Sequence, residues 1–351
     1  IHSCVQFRSP SRPVRREPLL KIDVRSPTRV DLAGGTLDMW PLYNFVGSAV
    51  TVNVAIDIWT RALIEEIPSA EQIELVSKDL NLQKSYANLE EALRDSDPRM
   101  NLLKAHLAYW KPKGGFRLTT SSESPVGGGL GGSSPLTISI LKAFEEWTRE
   151  KFRDGHGRVH VAHNIEAQVL GTPTGTQDYY PADSGGISLI HYDASGIHLR
   201  TLSTEDTPFT EQFLLVNTGK AHHSGLNNFE VLSRAVQKDA GTLKALSDIK
   251  VIADEMAEAC LNKAWGKLPG LFRAEYEARV RLAPSFSSPE IEKLSEVSLK
   301  AGALAVKICG AGGGGCVMIW CPPGGRTGVA TACERAGFQV LGAKTVPPLE
   351  K

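Results

Sequence analysis

The sequence lacks both a long hydrophobic run and an excess of charge of either sign. None of its 351 residues belongs to a stretch approaching the ~18 consecutive apolar residues of a membrane span, so we expect no membrane partner. Lysine plus arginine equals aspartate plus glutamate at 39 each, so we expect no nucleic-acid partner either. The length suffices for two domains with a sizeable core.

Closely spaced cysteine pairs are also missing. The six cysteines include no Cys-x-x-Cys pair, which predicts free thiols in the reducing cytoplasm. Cys309, Cys316 and Cys321 lie in apolar segments and are expected in the core. The pair His222-His223 has no cysteine or histidine at metal-binding spacing, which favours a loop on the substrate side over a metal site.

The first twenty residues differ in composition from the rest. They are rich in Arg, Ser and Pro, and Glu17 is their only acid. They also lack the apolar centre of a secretory signal. We expect residues 1–20 to form a flexible arm without a catalytic role. A gene-start artefact and the remnant of a transit peptide are the alternatives.

A glycine-rich segment directly before an apolar stretch carries the most information. It runs Pro125-Val126-Gly127-Gly128-Gly129-Leu130-Gly131-Gly132-Ser133-Ser134-Pro135. Serine favours a helix N-cap and proline is tolerated at the first helical position, so we expect a helix to start here with a serine cap. Free N–H groups at a helix start bind phosphate, and glycines let the anion approach the backbone. The segment therefore predicts a phosphate-binding loop, with a surface turn that binds no ligand as the alternative.

Two common nucleotide-binding patterns do not fit this loop. The string G-x-G-x-x-G occurs twice in the chain, at Gly127, Gly129 and Gly132 and at Gly310, Gly312 and Gly315. A Rossmann unit needs a buried strand before the loop, but residues 116–122 are half polar. It also needs an acidic residue ending a second strand, whereas Glu145 and Glu146 are expected on the solvent face of the next helix. No Gly-Lys-Ser/Thr follows the glycines, which excludes a P-loop.

A second candidate motif lies near the N-terminus. It runs Ser26-Pro27-Thr28-Arg29-Val30-Asp31-Leu32-Ala33-Gly34-Gly35-Thr36-Leu37-Asp38. Arg29 offers a planar cationic fork for a phosphate or a developing alkoxide. Asp38 is an acceptor suited to paired sugar hydroxyls. An exposed salt bridge at a strand end is the alternative for this motif alone.

A third candidate motif lies near the C-terminus. It runs Val306-Lys307-Ile308-Cys309-Gly310-Ala311-Gly312-Gly313-Gly314-Gly315-Cys316-Val317-Met318-Ile319. Five glycines in six positions weaken any strand that they interrupt, and they predict that something lies against the backbone. A bulged hairpin is the alternative.

Taken in chain order, residues 26–38, 125–135 and 306–319 resemble the first, second and third motifs of the GHMP kinases, and the resemblance covers most of residues 21–346. It implies an α+β fold with a domain like domain 2 of ribosomal protein S5, followed by a ferredoxin-like domain, with the site in the cleft between them. We expect the domains at residues 21–203 and 204–351. Gly34-Gly35 and the Gly-Thr-Gln-Asp sequence at residues 175–178 resemble the sugar-kinase branch that acts on D-glycero-D-manno-heptose 7-phosphate.

The resemblance also implies roles for individual residues. It implies ATP and Mg²⁺ as cofactors, with Asp178 and Arg29 as catalytic residues and Ser133 and Glu166 as magnesium ligands. The residues implied in binding ATP are Gly127, Gly128, Gly129, Leu130, Gly131, Gly132, Ser133, Ser134, Gly312 and Gly313. Those implied in binding the acceptor are Gly35, Thr36, Asp38, Gly175, Gly310 and Ala311.

The activity that the resemblance implies is direct in-line phosphoryl transfer from ATP to a small sugar or sugar phosphate, and we expect a heptose 7-phosphate as the acceptor. Asp178 would take the hydroxyl proton. A kinase acting on the anomeric hydroxyl of a free sugar, similar to galactokinase or fucokinase, is an alternative. A sugar sensor that binds ATP without transferring phosphate is another. We expect a monomer or homodimer.

Periodicity predicts helices and strands throughout, with helices on one face of each sheet. The predicted strands are 21–24, 49–57, 60–67, 72–77, 187–192, 213–216, 304–309, 316–321 and 338–346. The predicted helices are 88–110 with a break at Pro98, one beginning at Ser133, and 158–170, 227–246, 249–265 and 289–301.

Overall fold

The computed structural model describes residues 19–220, 224–310 and 312–350, which form eleven strands and twelve helices. The strands are β1 (Lys21–Ala33), β2 (Ala49–Glu66), β3 (Ile73–Ser77), β4 (Leu82–Tyr86), β5 (Phe116–Ser122), β6 (Ile187–Asp193), β7 (Gly196–Leu202), β8 (Phe213–Asn217), β9 (Ala305–Ile308), β10 (Cys316–Trp320) and β11 (Gln339–Leu341). The helices are α1 (Leu42–Phe45), α2 (Leu89–Leu93), α3 (Asn101–Trp110), α4 (Ser133–Thr148), α5 (Gly155–Leu170), α6 (Tyr179–Ser184), α7 (Phe209–Gln212), α8 (Ser224–Val236), α9 (Ala240–Leu261), α10 (Leu268–Leu282), α11 (Pro289–Lys300) and α12 (Arg326–Arg335). Most of the predicted arm and the pair His222-His223 lie outside these residues.

The first half of the chain forms a seven-stranded sheet. Its order is β4-β3-β5-β2-β6-β7, and β1 also pairs with β2. The prediction of two strands at 49–57 and 60–67 is wrong, because β2 is continuous. Thr60, at the expected break, is buried, and its hydroxyl donates to the carbonyl oxygen of Ser26 at 3.2 Å. A polar residue therefore stays inside the strand because its hydrogen bond is satisfied there.

Helix α4 packs against β1 and β2, and most of its residues are buried. Glu145 is not on a solvent face as predicted. It is 2% exposed, and its carboxylate accepts a hydrogen bond from Arg158 Nε at 2.7 Å. A pattern of polar residues on a helix cannot reveal such a pair, because the partner comes from the next helix, α5.

The second half of the chain forms a four-stranded antiparallel sheet in the order β11-β8-β10-β9. Along the chain its strands and helices follow a strand–helix–strand–strand–helix–strand plan, which confirms the ferredoxin-like expectation. The sequence prediction missed α10 and α12, and it placed the break between α8 and α9 too late. Asp239 caps α9 by accepting from the Thr242 N–H at 2.7 Å. The predicted strand at 338–346 is confined to β11.

Two hydrophobic clusters contain residues from both halves of the chain. Helix α9, from the second half, contacts β2 of the first sheet. One apolar cluster contains Val52 of β2, Met256 of α9 and Trp320 of β10. Ala49–Ile56 is buried along its whole length, so both faces of β2 are covered there. The expectation of helices on only one face is wrong for this part of the sheet, because α9 covers the face opposite α4.

Candidate active site

One cavity of about 460 Å³ is lined by residues of all three glycine-containing motifs. They include Arg29, Thr36 and Asp38, the 127–129 and 131–134 part of the glycine loop, Glu166, Gly175, Asp178 and Gly310. Ser133 and Asp178, which are 45 positions apart in the printed sequence, therefore face a common space. Gly35, Gly312 and Gly313 do not line this cavity, and Ala311 lies outside the described residues.

The glycine loop leads directly into α4, as predicted. Gly127, Gly129 and Gly131 have φ angles of 65°, 70° and 69°, which favour glycine over other residues. The expected serine cap is wrong, because Gly132 precedes the helix and no side chain caps it. Leu130 is fully buried in a hydrophobic cluster and anchors the loop to the core. The first N–H groups of α4 are therefore not taken by a side-chain cap.

The two glycine loops contact each other through their backbones. The N–H of Cys316 donates to the carbonyl oxygen of Gly128 at 2.7 Å. A Cβ atom added at Gly310 would lie 2.6 Å from the carbonyl oxygen of Gly129, closer than real contacts allow. Gly312 packs in the same way on the backbone of Phe286. The prediction that something lies against the third motif is correct, and at these positions it is the protein's own backbone.

Arg29 is buried and forms an ion pair with Asp178, whose side chain is partly exposed. Arg29 is 3% exposed on β1, and its Nε and Nη2 atoms lie 2.7 and 2.6 Å from Asp178 Oδ1. Its Nη1 atom donates to the carbonyl oxygens of Gly129 and Cys309 at 2.9 and 2.7 Å. Burial lowers the pKa of Arg29, but the nearby carboxylates of Asp178 and Asp31 and the hydrogen bond to Asp178 together raise it above its usual value. Arg29 thus ties both glycine loops to Asp178 rather than offering a free fork to phosphate.

Glu166 is buried on α5, and three hydroxyl groups surround it. Ser133 donates to Oε1, Ser134 donates to Oε2 at 2.8 Å, and Tyr179 donates to Oε2 at 2.5 Å. Burial raises the pKa of Glu166, while these hydroxyls act in the opposite direction. No motif in the sequence pointed to Tyr179, which follows Asp178. The side-chain oxygens of Glu166 and Ser133 therefore lie next to each other at the start of α4, as two candidate metal ligands.

These two oxygens are compatible with a magnesium site, but they form only part of a coordination shell. Within the described residues, no group of three or more His, Cys, Asp or Glu side chains is arranged to hold a metal. Magnesium usually takes one or two carboxylates and completes its shell with water and phosphate oxygens. The pair of Ser133 and Glu166 fits that requirement.

Asp38 lies at the other end of the cavity and is 4% exposed. Its Oδ2 atom accepts from the N–H of Gln177 at 3.0 Å, and a Cβ at Gly175 would lie 1.9 Å from the same oxygen. Burial raises the pKa of Asp38 to about 6. Thr36 donates to Asn228 Oδ1 at 3.4 Å, which connects this end to α8. Gly175 is therefore required for the close approach of Asp38 to the segment that precedes Asp178.

Four buried charges lie behind this end of the cavity. Arg279 donates to Asp31 Oδ2 at 2.5 Å and to Glu275 Oε1 at 2.8 Å, and Lys307 lies 3.1 Å from Glu275 Oε2. Arg279 also donates to the carbonyl oxygen of Gly310 at 3.1 Å. A Cβ at Gly35 would lie 1.9 Å from Arg279 Nη2, which explains the glycine there. We call these four residues the charge cluster. Arg279 and Glu275 were not predicted as site residues, because in the sequence they look like exposed helix residues.

The far end of the cavity is less charged. It is lined by Ser77 at the end of β3, by Asp79 and Leu80 after it, by Arg99, and by Leu102 and Leu103 of α3. These residues combine apolar surface with a few polar groups, a mixture typical of a site for a flat heterocycle. No motif in the sequence marked them.

A second cavity of about 550 Å³ adjoins the first. We call it the histidine cleft; it is lined by Asp38, Trp40, Tyr43, His156, Val159, His160, His163, Asn164, Thr176, Tyr180 and Ile197. Asp38 lines both cavities. The segment from Thr174 to Gln177 runs between them, since Thr176 lines the cleft and its neighbours line the first cavity.

Comparison with known proteins assigns the family. The model of the GHMP kinase N-terminal domain matches residues 99–186, and that of the C-terminal domain matches residues 243–338, together just over half of the chain. The chain belongs to the GHMP kinases, and it is an ATP-dependent kinase.

Individual relatives agree with this family. A D-glycero-alpha-D-manno-heptose 7-phosphate kinase of Campylobacter jejuni is 26% identical over 311 residues, which cover 86% of this chain and 90% of the relative. A mevalonate kinase of Methanocaldococcus jannaschii is 25% identical, with 76% and 84% covered. The solved structure of a D-glycero-D-manno-heptose 1-phosphate kinase from Bacteroides thetaiotaomicron shares the fold, with a TM-score of 0.75, 24% identity and coverage of 94% and 97%. No helix of the described residues is long and apolar enough to span a membrane.

Proposed function

We propose that this kinase transfers the γ-phosphoryl group of ATP to a hydroxyl group of a sugar or sugar phosphate, and that a heptose 7-phosphate is its acceptor. The observation that carries this proposal is the position of Asp178. Its carboxylate is fixed by Arg29 in a cavity that has the glycine loop on one side and Asp38 on the other.

The nucleotide is proposed to lie along the glycine loop. Its phosphates would meet the N–H groups at the start of α4, where the helix dipole favours negative charge. Its base would occupy the end lined by Leu80, Leu102 and Leu103. Ser133 and Glu166 would hold Mg²⁺, which would offset the negative charge of the phosphates.

The acceptor is proposed to lie between Asp38 and Asp178. Asp38 would accept hydrogen bonds from its hydroxyl groups. Asp178 would take the proton of the reacting hydroxyl as its oxygen bonds to the γ-phosphorus and the bond to ADP breaks. The product is the phosphorylated acceptor, and no covalent enzyme intermediate is needed.

The choice of a heptose phosphate is supported by the relatives and by the site. A heptose 7-phosphate kinase is among the proteins matched over most of their length. The sequence Gly-Thr-Gln-Asp before α6 also places Gln177 against Asp38, beside the proposed acceptor. The five cysteines in the described part of the chain are unpaired and buried, which supports the cytoplasm as its compartment. The oligomeric state stays a prediction.

An ADP-release assay over a panel of acceptors tests the proposal. The panel holds D-glycero-D-manno-heptose 7-phosphate, free hexoses, hexose phosphates and mevalonate. We expect turnover with the heptose phosphate, and loss of at least about 10³-fold in kcat for Asp178→Asn. Thermal shift with a nonhydrolysable ATP analogue checks that this variant still binds nucleotide. Turnover with free sugars alone would favour an anomeric kinase, and binding without turnover would favour a sensor.

A further inference from the structure

The histidine cleft adjoins the acceptor end of the proposed active site, and apart from Asp38 none of its lining residues has a role in the proposed phosphoryl transfer. Its floor is one face of α5, because His156, His160, His163 and Asn164 are spaced by four, three and one residues. The same helix continues to Glu166 in the first cavity. A single rigid helix therefore lines both spaces.

The hydrogen bonds in the cleft indicate what it would bind. His163 Nε2 lies 2.9 Å from the carbonyl oxygen of Thr174, so it carries the proton there and leaves Nδ1 as an acceptor. The amide nitrogen of Asn164 lies 3.1 Å from His160 Nε2, so that nitrogen accepts and Nδ1 of His160 is a donor. The face therefore carries both a donor, at His160, and an acceptor, at His163. A hydroxyl group, which donates and accepts, matches such a surface.

The charge of the cleft points the same way. No lysine or arginine is among the described residues that line it, and Asp38 contributes a carboxylate. A phosphate group accepts hydrogen bonds and is repelled by a carboxylate, so it is poorly matched. Trp40 and Tyr43 add flat apolar surface to the lining, and Trp40 is 69% exposed. Amphipathic aromatic side chains of this kind suit the mixed polar and apolar faces of a carbohydrate.

We propose that the histidine cleft is an acceptor subsite that binds the uncharged, hydroxyl-bearing carbons of the sugar on the far side of Asp38 from the reacting hydroxyl. This inference rests on the proposed function, because it takes Asp38 as an acceptor contact. Asp38 then contacts the sugar between the two cavities. Long polyhydroxyl acceptors gain contacts that short ones cannot make.

Steady-state kinetics of single-residue variants test the subsite, with ATP and D-glycero-D-manno-heptose 7-phosphate as substrates. His160→Ala and Asn164→Ala each remove one exposed side chain from the cleft on a helix surface. We expect each to raise the acceptor KM about 5–20-fold, while kcat and the KM for ATP change less than twofold. His191→Ala is the matched control, because His191 is exposed on β6 and lines neither cavity.

The possible outcomes separate the two proposals. A wild-type protein that transfers no phosphoryl group overturns the proposed function and the subsite with it. An active wild type whose acceptor KM is unchanged in both variants overturns only the subsite. Inorganic phosphate supplies the second readout. If it competes with the acceptor in the wild type but not in His160→Ala, then the cleft holds a phosphate group, and the uncharged assignment is wrong. Equal inhibition of the wild type and of His160→Ala supports the uncharged assignment.

Discussion

Two nitrogen atoms of the Arg29 guanidinium lie 2.7 and 2.6 Å from the same oxygen of Asp178, although the residues are 149 positions apart. The remaining contacts of that side chain go to backbone carbonyls of the two glycine loops. Arg29 therefore fixes the candidate base and both loops with one planar group. A lysine has a single nitrogen and cannot reproduce this geometry.

Arg29→Lys is accordingly expected to lower kcat by roughly 10²–10³-fold, because two or more charge-assisted hydrogen bonds are lost. The KM for ATP is expected to change less than fivefold. Arg61→Lys is the matched control, since Arg61 makes the same kind of pair with Asp23 on an exposed part of the first sheet. Equal losses in both variants, measured by ADP release, would show that Arg29 only stabilises the fold.

Asp38 predicts a pH dependence of acceptor binding. Its pKa is raised to about 6 by burial, so its carboxylate becomes protonated below that pH and no longer acts as a full acceptor. We expect the acceptor KM to rise up to about tenfold for each pH unit below 6, with the KM for ATP nearly constant. Asp38→Asn should abolish this inflection. Persistence of the inflection in that variant would assign it to another group.

The same carboxylate also links stability to pH. Its folded pKa lies above the unfolded value of 3.8, so the folded state holds the proton more tightly. The contribution of this carboxyl group to the stability of the fold is therefore fully present below pH 4 and is lost as the pH rises to about 6. We expect Asp38→Asn to be more stable than the wild type at pH 7 by about 1–3 kcal/mol, as measured by urea unfolding. A less stable variant would mean that Asp38 is ionised at no cost to the fold.

His106 predicts the opposite dependence. It is fully buried on α3, neither ring nitrogen has a partner among the described residues, and burial lowers its pKa to about 3. The unfolded chain takes up a proton below pH 6.5, so stability is lost as pH falls from 6.5 toward 3. Replacing His106 by Phe should reduce the stability lost between pH 6.5 and 5.5 by about 1 kcal/mol. The exposed His191→Phe should leave that loss unchanged.

The contact between the glycine loops predicts different effects for two Gly-to-Ala changes. A methyl group at residue 310 would lie 2.6 Å from a backbone oxygen of the other loop, whereas Gly342 has open space around it. We expect Gly310→Ala to raise the KM for ATP about tenfold or more, because the 127–132 loop must shift. Gly342→Ala should match the wild type. Normal nucleotide affinity in Gly310→Ala would show that the loops move independently.

Much of the site was predictable because its parts are short and local. Each glycine motif is recognisable within about a dozen residues, and all three reach one cavity. Arg29 was predicted near Asp178, but its hydrogen bonds to the backbone of both glycine loops were not predicted. Glu145 and the charge cluster were missed, because a buried charge looks like an exposed one until its distant partner is known. For the same reason α10 was missed: two of its buried positions are Arg279 and Glu275.

The charge cluster has a consequence for how the molecule assembles. Its members come from β1, α10 and β9, and the first and last are 276 positions apart in the printed sequence. Until the late segments dock, Asp31 lacks its two ion-pair partners, Arg279 and Lys307, and burying it without them would be costly. The amino-terminal sheet therefore cannot bury its interior before the later segments dock. Folding and melting should be all-or-none across both halves, and an isolated front half should not persist as a stable unit.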